Sequence, residues 1–308
     1  IEDGRCYLRG REIVALSREE GFERVSALLW SGSPDDARVA PAAPSRAAAP
    51  SADALARHLV RASDAPLVTL GSPDDVVMRG AARVTAGLFA AVGGGGAGPL
   101  AGRLARGWGT PHAAALDAAL VLCAGHELNV SSFTVRCVAS ADAGLEQVLL
   151  AALCALRGRR HGGLTERVED LVRDAERAGP RRAAERALGD DGALPGFGHP
   201  LYPDGDPRAA ELLRICDALP GATAGDPVTA LVALAREQLG REPTLDLGLA
   251  ALARRLALPD GAAFCIFALG RSAGWIAHAL EARADSRLIR PRSRYTGPRP
   301  AAVGSSAP

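Results

Sequence analysis

No lysine occurs in this 308-residue chain; all 36 basic side chains are arginine. With alanine, glycine and proline abundant, this reads as the coding bias of a GC-rich genome. An arginine therefore informs only through its position. An excess of one charge is missing too: the balance is +1, which argues against a general nucleic-acid-binding surface. No apolar run of about 18 residues is free of charge, so no membrane span is expected. The six cysteines (Cys6, Cys123, Cys137, Cys154, Cys216, Cys265) form no CxxC pair. Free, mostly buried thiols in a reducing cytoplasm are expected rather than a zinc or disulfide framework. The chain begins at Ile1 rather than Met, which leads us to expect a longer reading frame.

What is present suffices for one large domain or two smaller ones, with 48% apolar residues. Strand patterns are scarce; only residues 5–15 suggest a short hairpin. Residues 22–30 set Phe22, Val25, Leu28 and Leu29 on one helical face. Residues 31–54, rich in Ala, Pro, Ser and Asp, predict a loop or poorly ordered linker. A helix over about 75–92 ends in "GGGGAG" (93–98). That run lacks the strand and the Gly-Lys-Ser/Thr ending of a phosphate loop, so a flexible connection is expected. Residues 113–124 and 144–158 are apolar all round and should be central. Residues 164–178 are amphipathic, with Leu164, Val168, Leu171, Val172 and Ala175 inward. Asp206-Pro207 and Asp226-Pro227 each read as an N-cap followed by a first-turn proline. A long apolar helix covers about 262–283. The fold class is all-α.

The loop "GFGHPLYPDGDPR" (196–208) is costly to order and ill suited to a core. The helix start at Asp206-Pro207 places Arg208 in a first turn, where the helix dipole is already positive. An arginine there calls for an anion, and a carboxylate or phosphate ligand near Arg208 is expected. His199 sits on the same loop, whose glycines permit close approach of a ligand. Taken alone, the loop is also consistent with a tight turn carrying a surface histidine. Two further stretches weigh against that: "RGRRHGGLTERVEDL" holds His161 before a helix start, and "HELNVSSFT" groups His126, Glu127 and Asn129. Asp246 lies in "EPTLDLGLAAL". Zinc is a poor explanation, because the three histidines are about 35–40 residues apart and lack paired ligand spacing.

Taken in order, "HELNVSSFT", "HGG", "GFGHPLYPDGDPR", "PTLDLG", "FALGRSAGWIAHALE" and "RLIRPRSRYTGP" resemble the citrate synthase family. The opening "YLRGREIVALSREEGFERVSALLWSG" resembles its start, whereas residues 31–110 match poorly and look shortened. The resemblance implies an all-α fold with a large domain (1–160 and 251–308) and a small domain (161–250) that closes over the substrates. It implies condensation of acetyl-CoA with oxaloacetate, acetyl-CoA serving as co-substrate and no cofactor being permanently bound. It makes Asp246 the base, His161 the donor to the thioester carbonyl and His199 the donor to the oxaloacetate ketone. His126, Arg208, Arg271 and Arg290 become oxaloacetate contacts, with Arg290 reaching the neighbouring subunit of a homodimer. Leu194, Pro195, Gly196, Phe197 and Gly198 resemble the stretch that accepts the CoA adenine. Leu164-Thr165 and Leu247-Gly248 depart from the family's commoner Ala-Asn and Phe-Tyr-Ser, with acyl-CoA choice or rate as the expected casualty. A 2-methylcitrate synthase using propionyl-CoA and a non-catalytic oxaloacetate or acyl-CoA sensor are the alternatives. The tail arginines Arg287, Arg290, Arg292, Arg294 and Arg299 read as a solvated or dimer-spanning tail rather than a nucleic-acid site.

Overall fold

The computed structural model describes residues 1–37, 41, 43–44, 49–64, 72–189, 192–221 and 225–298. The predicted hairpin is Tyr7–Leu8 paired antiparallel with Arg11–Glu12. Arg9 and Gly10, both at positive φ, make its tight turn. Fourteen α-helices follow among the described residues: Ile13–Glu19 (α1), Phe22–Ser31 (α2), Ala52–Ser63 (α3), Asp74–Ala91 (α4), Leu100–Gly107 (α5), Ala113–Cys123 (α6), Val130–Ala139 (α7), Leu145–Leu156 (α8), Leu164–Ala178 (α9), Pro180–Ala187 (α10), Pro207–Ala218 (α11), Pro227–Leu239 (α12), Leu245–Arg255 (α13) and Ala262–Asp285 (α14). The all-α expectation holds.

At the centre lies α14, packed against α6, α7 and α13 and buried along most of its length. It is long and apolar enough to cross a membrane by length and composition, yet its apolar window is buried inside the fold. Two glycines set its approach to α6. A Cβ at Gly270 would lie 2.4 Å from the Leu120 carbonyl oxygen, and one at Gly274 would lie 2.3 Å from that of Ala124. Only bare backbone fits there, and the close crossing brings Arg271, between them, against the end of α6. Both predicted Asp-Pro starts are helix N-termini: Asp206 accepts from the Arg208 N–H and Asp226 from that of Val228.

Two expectations need correction. The linker over 31–54 contains a 3₁₀ turn at Pro34–Asp36 and the start of α3, capped by the Ser51 hydroxyl; positions 38–40, 42 and 45–48 lie outside the described residues. Single short polar-rich turns hid both elements from a composition argument. The "GGGGAG" connection is packed rather than loose. Gly94 donates to the Phe89 carbonyl at 2.7 Å, Gly96 pairs with Ala43, and a Cβ on Gly107 would strike the Gly93 oxygen. Its glycines serve contact as much as turning. On α9 the inward face is as expected: Val168, Leu171, Val172 and Ala175 are buried, and Leu164 packs half-buried against the core. Arg299 lies outside the described residues.

One buried acid gives a stability prediction. Asp117 on α6 accepts from the Phe22 N–H at the start of α2, at 3.0 Å. Burial outweighs this bond and lifts its pKa to about 6. The folded state thus holds this proton more tightly than the unfolded chain, so the ionised carboxylate costs stability above pH 6 and nothing below the unfolded value near 4. Asp117→Asn keeps an acceptor without the charge. It should raise stability by ~1 kcal/mol at pH 7.5, with the gain fading as pH falls through 6 to 4, measured by urea unfolding.

Candidate active site

Backbone first brings the distant motifs together. Phe197 bridges Pro243, the Gly198 N–H donates to the Glu242 carbonyl, and the Thr244 N–H donates to that of Gly196, both at 2.8 Å. Gly196 and Gly198 take positive φ to allow this. The loop carrying His199 is therefore stitched to the segment that opens α13, where Asp246 occupies the first turn. Asp206 completes the join by accepting from the Leu245 N–H at 3.2 Å.

Arg208 already has an anionic partner within the chain. Asp206 takes its Nε at 2.9 Å and its Nη2 at 2.8 Å, and both side chains are buried. The helix's own N-cap thus supplies one anion of the kind the helix dipole called for, and a ligand carboxylate at Arg208 would be a second. Arg271 is the group left over. It is 1% exposed, and its Nε donates to the Cys123 carbonyl at 2.7 Å. Among the described residues no carboxylate pairs with it, and its two Nη atoms make no hydrogen bond. Burial and the neighbouring Arg208 charge pull its pKa down to about 10, so it stays charged at neutral pH. The sequence held no sign of this asymmetry between two site arginines.

Three imidazoles surround the pair. His126 and His199 meet edge to face at 5.3 Å between ring centroids, and Tyr202 packs on both. Tyr202 also lies under the Arg208 guanidinium and bonds His126 Nε2 at 3.1 Å. His199 Nδ1 accepts from the Leu201 N–H at 3.1 Å, which puts the proton of a neutral ring on Nε2. Burial and the Arg208 charge depress the pKa of His126 and of His199. For His161, burial and Arg271 bring it down to about 4. All three rings are neutral at pH 7.

His161 occupies the glycine turn before α9, where a Cβ on Gly163 would strike the Arg157 oxygen. Its Nε2 lies 2.9 Å from the Ser131 hydroxyl. That hydroxyl also receives the Trp275 indole N–H at 3.1 Å and donates to Asn129 Oδ1 at 2.9 Å. With one proton and three partners, Ser131 governs which nitrogen of His161 is the donor. Asn129 caps α7 and donates to the His126 carbonyl, closing the circuit from His161 back to His126. Asp246 keeps some exposure, and its Oδ1 accepts from the Thr165 hydroxyl at 2.6 Å. Burial raises its pKa, with the Thr165 bond and Arg208 opposing.

Sequence reasoning named His126, His161, His199, Arg208, Asp246 and Arg271, and contacts link each to this circuit or to its flanking helices. Arg290 does not join it within one chain; it lies exposed beyond α14. Leu194, Pro195, Gly196 and Phe197 are buried, and of the five residues matched to an adenine contact only Gly198 is exposed. Tyr202, Asp206 and Ser131 were missed as site groups, although each lies inside a quoted motif, and Thr165 was noted only as a departure from the family's pattern. Of the two departures, Leu247 is fully buried beneath Gly196, and a Cβ on Gly248 would lie 2.9 Å from Leu212. That pair serves packing. Thr165, by contrast, touches the site. Among the described residues no cluster of His, Cys, Asp or Glu is arranged to hold a metal.

The comparisons with known proteins concern this same region. The family described as citrate synthase, C-terminal domain, matches residues 97–292. Citrate synthase of Haloferax volcanii is 37% identical over 188 residues, 59% of this chain and 49% of that protein. The 2-methylcitrate synthase of Shewanella oneidensis is 33% identical over 198 residues, 62% and 52% of the two chains. The chain thus spans about half the length of the curated relatives it matches. Among solved structures, citrate synthase of Thermotoga maritima aligns over 97% of this chain and 91% of its own, with a TM-score of 0.77 and 24% identity. A Thermoplasma acidophilum citrate synthase, in ternary complex with carboxymethyl coenzyme A and oxaloacetate, aligns over 95% and 90%, with a TM-score of 0.79 and 20% identity. These two likenesses show the fold. The family match extends from before α5 to beyond α14 and takes in every residue of the circuit, and on that ground the chain belongs to the citrate synthase family.

Proposed function

We propose that the protein condenses an acyl-CoA, acetyl-CoA in the first instance, with oxaloacetate to give citrate and free CoA. The observation that carries this is Arg271: a buried guanidinium with no carboxylate partner among the described residues, beside an Arg208 that Asp206 already pairs. A small dianion with a carboxylate for Arg271 supplies that partner, and oxaloacetate is such a dianion. His126 supports the same end of the substrate.

Asp246 takes a proton from the acyl methyl group, and His161 stabilises the enol(ate) by donating to the thioester oxygen. For this the Ser131 hydroxyl turns its one proton from Asn129 Oδ1 to His161 Nε2, which leaves the imidazole N–H on Nδ1, free of other partners among the described residues. The enol carbon bonds to the keto carbon of oxaloacetate while the Nε2–H of His199 passes its proton to the keto oxygen. Water then splits the citryl thioester, releasing citrate and the CoA thiol. Neutral imidazoles suit this chemistry, since each acts as a hydrogen-bond donor without bringing charge.

The remaining parts of the reading are a small lobe at 161–250 closing on a large lobe built from 1–160 and 251–308, and a homodimer in the reducing cytoplasm. Leu128, Val130 and Phe133, at 52%, 66% and 45% exposure, form an apolar face at the start of α7 that supports the dimer. An exposed arm bearing Leu288, Arg290 and Tyr295 supports the transfer of Arg290 to a neighbouring site. Six free thiols are consistent with the compartment. The Leu194–Gly198 stretch is assigned to the CoA adenine through its backbone, with its side chains turned inward.

The test is oxaloacetate-dependent thiol release from acetyl-CoA and propionyl-CoA. Turnover with acetyl-CoA as the better substrate is expected. A higher specificity constant for propionyl-CoA would make the protein a 2-methylcitrate synthase. Binding without any turnover would make it a sensor.

A further inference from the structure

We propose that Thr165 is a positioning residue for Asp246, holding one carboxylate oxygen so that the other is presented as the proton acceptor. This rests on Asp246 being the base. The Thr165 hydroxyl has a single proton and gives it to Asp246 Oδ1 at 2.6 Å. Thr165 is fully buried, and its backbone N–H is fixed to the Gly162 carbonyl at 3.0 Å, so its hydroxyl has little freedom to turn elsewhere. Among the described residues no side-chain donor reaches Oδ2, and no guanidinium forms an ion pair with Asp246. Its one side-chain partner among the described residues is therefore the neutral Thr165 hydroxyl, which acts beside the hydrogen bond from Asp246's own backbone N–H.

The position of Thr165 in the chain adds a second consequence. It stands in the first turn of α9, four residues after His161, whose turn is closed by His161 N–H to the Gly158 carbonyl and Leu164 N–H to the His161 carbonyl. The same short segment thus carries the thioester donor and the bond that aims the base. A shift of the turn moves both together, which keeps proton removal and enol stabilisation in register. A hydrogen bond to the ionised oxygen also favours the charged form of Asp246, against the effect of burial.

Thr165→Val removes the hydroxyl at nearly constant volume, and Thr165→Ser restores it without the methyl group. Two readouts are needed: kcat against pH, and the titration of Asp246 by carboxyl carbon NMR in the substrate-free protein. For Thr165→Val we expect kcat to fall ~10-fold or more, with KM for oxaloacetate changed less than about twofold. The acid limb of kcat and the Asp246 midpoint should both move up by ~1 pH unit. Thr165→Ser should behave like the wild type in both. An unmoved Asp246 midpoint in Thr165→Val, or equal impairment of Thr165→Ser, overturns the proposal. Absence of thiol release by the wild type would instead remove the condensation reading, and the NMR midpoint would still decide whether Thr165 sets the state of Asp246.

Discussion

Arg271→Met should lower kcat/KM for oxaloacetate by ~10³-fold or more without lowering the melting temperature. Both halves follow from one fact, that Arg271 is buried beside Arg208 and, among the described residues, has no acid of its own. In the empty protein such a charge is a cost, and a similarly shaped apolar side chain relieves it. The loss of the bond to the Cys123 carbonyl offsets part of that gain. In the complex, the same guanidinium meets a carboxylate away from bulk water, where losing one partner of a charged pair costs ~2–5 kcal/mol. Oxaloacetate should accordingly raise the melting temperature of the wild type and leave that of the variant in place. A variant that melts much lower and still turns over normally would mean that Arg271 is a structural residue.

Asp246→Asn should reduce kcat by ~10³-fold while KM for oxaloacetate stays within about threefold, as measured by thiol release. The amide can still accept from Thr165, so the local geometry survives, but it cannot take a proton from carbon. Stability should move the other way. The pKa of Asp246 is raised by burial, so its ionised form weakens the fold at neutral pH and the penalty disappears once the group is protonated. The variant should thus be the more stable protein at pH 7.5, and the difference should shrink as pH falls below the raised folded value. Equal loss of KM and kcat would point to oxaloacetate binding rather than proton abstraction as its task.

How far the sequence could carry the reading depends on what kind of interaction was at stake. Helix α14 and the Asp-Pro caps of α11 and α12 were legible, because each is dictated by local pattern. The short helices α5 and α10 were not; their stability comes from neighbours rather than from their own eight residues. The same division runs through the site. His161, His199 and Asp246 stand in motifs, so they could be named. That Asp206 would turn its carboxylate onto Arg208 depends on a side-chain direction that two residues' spacing does not fix. The isolation of Arg271 depends on what is missing around it in space. Arg290 shows the reverse case: its motif was plain, yet within this chain it lies exposed and away from the site.

The central claim is that a buried, unpaired guanidinium selects a dicarboxylate keto acid. Calorimetric titration at pH 7.5 with oxaloacetate and with pyruvate, which lacks the second carboxylate, tests it most directly. Oxaloacetate should bind the wild type at least ~100-fold more tightly than pyruvate, and Arg271→Met should abolish that preference. Equal affinity for the two keto acids, or undiminished oxaloacetate binding by Arg271→Met, would contradict it.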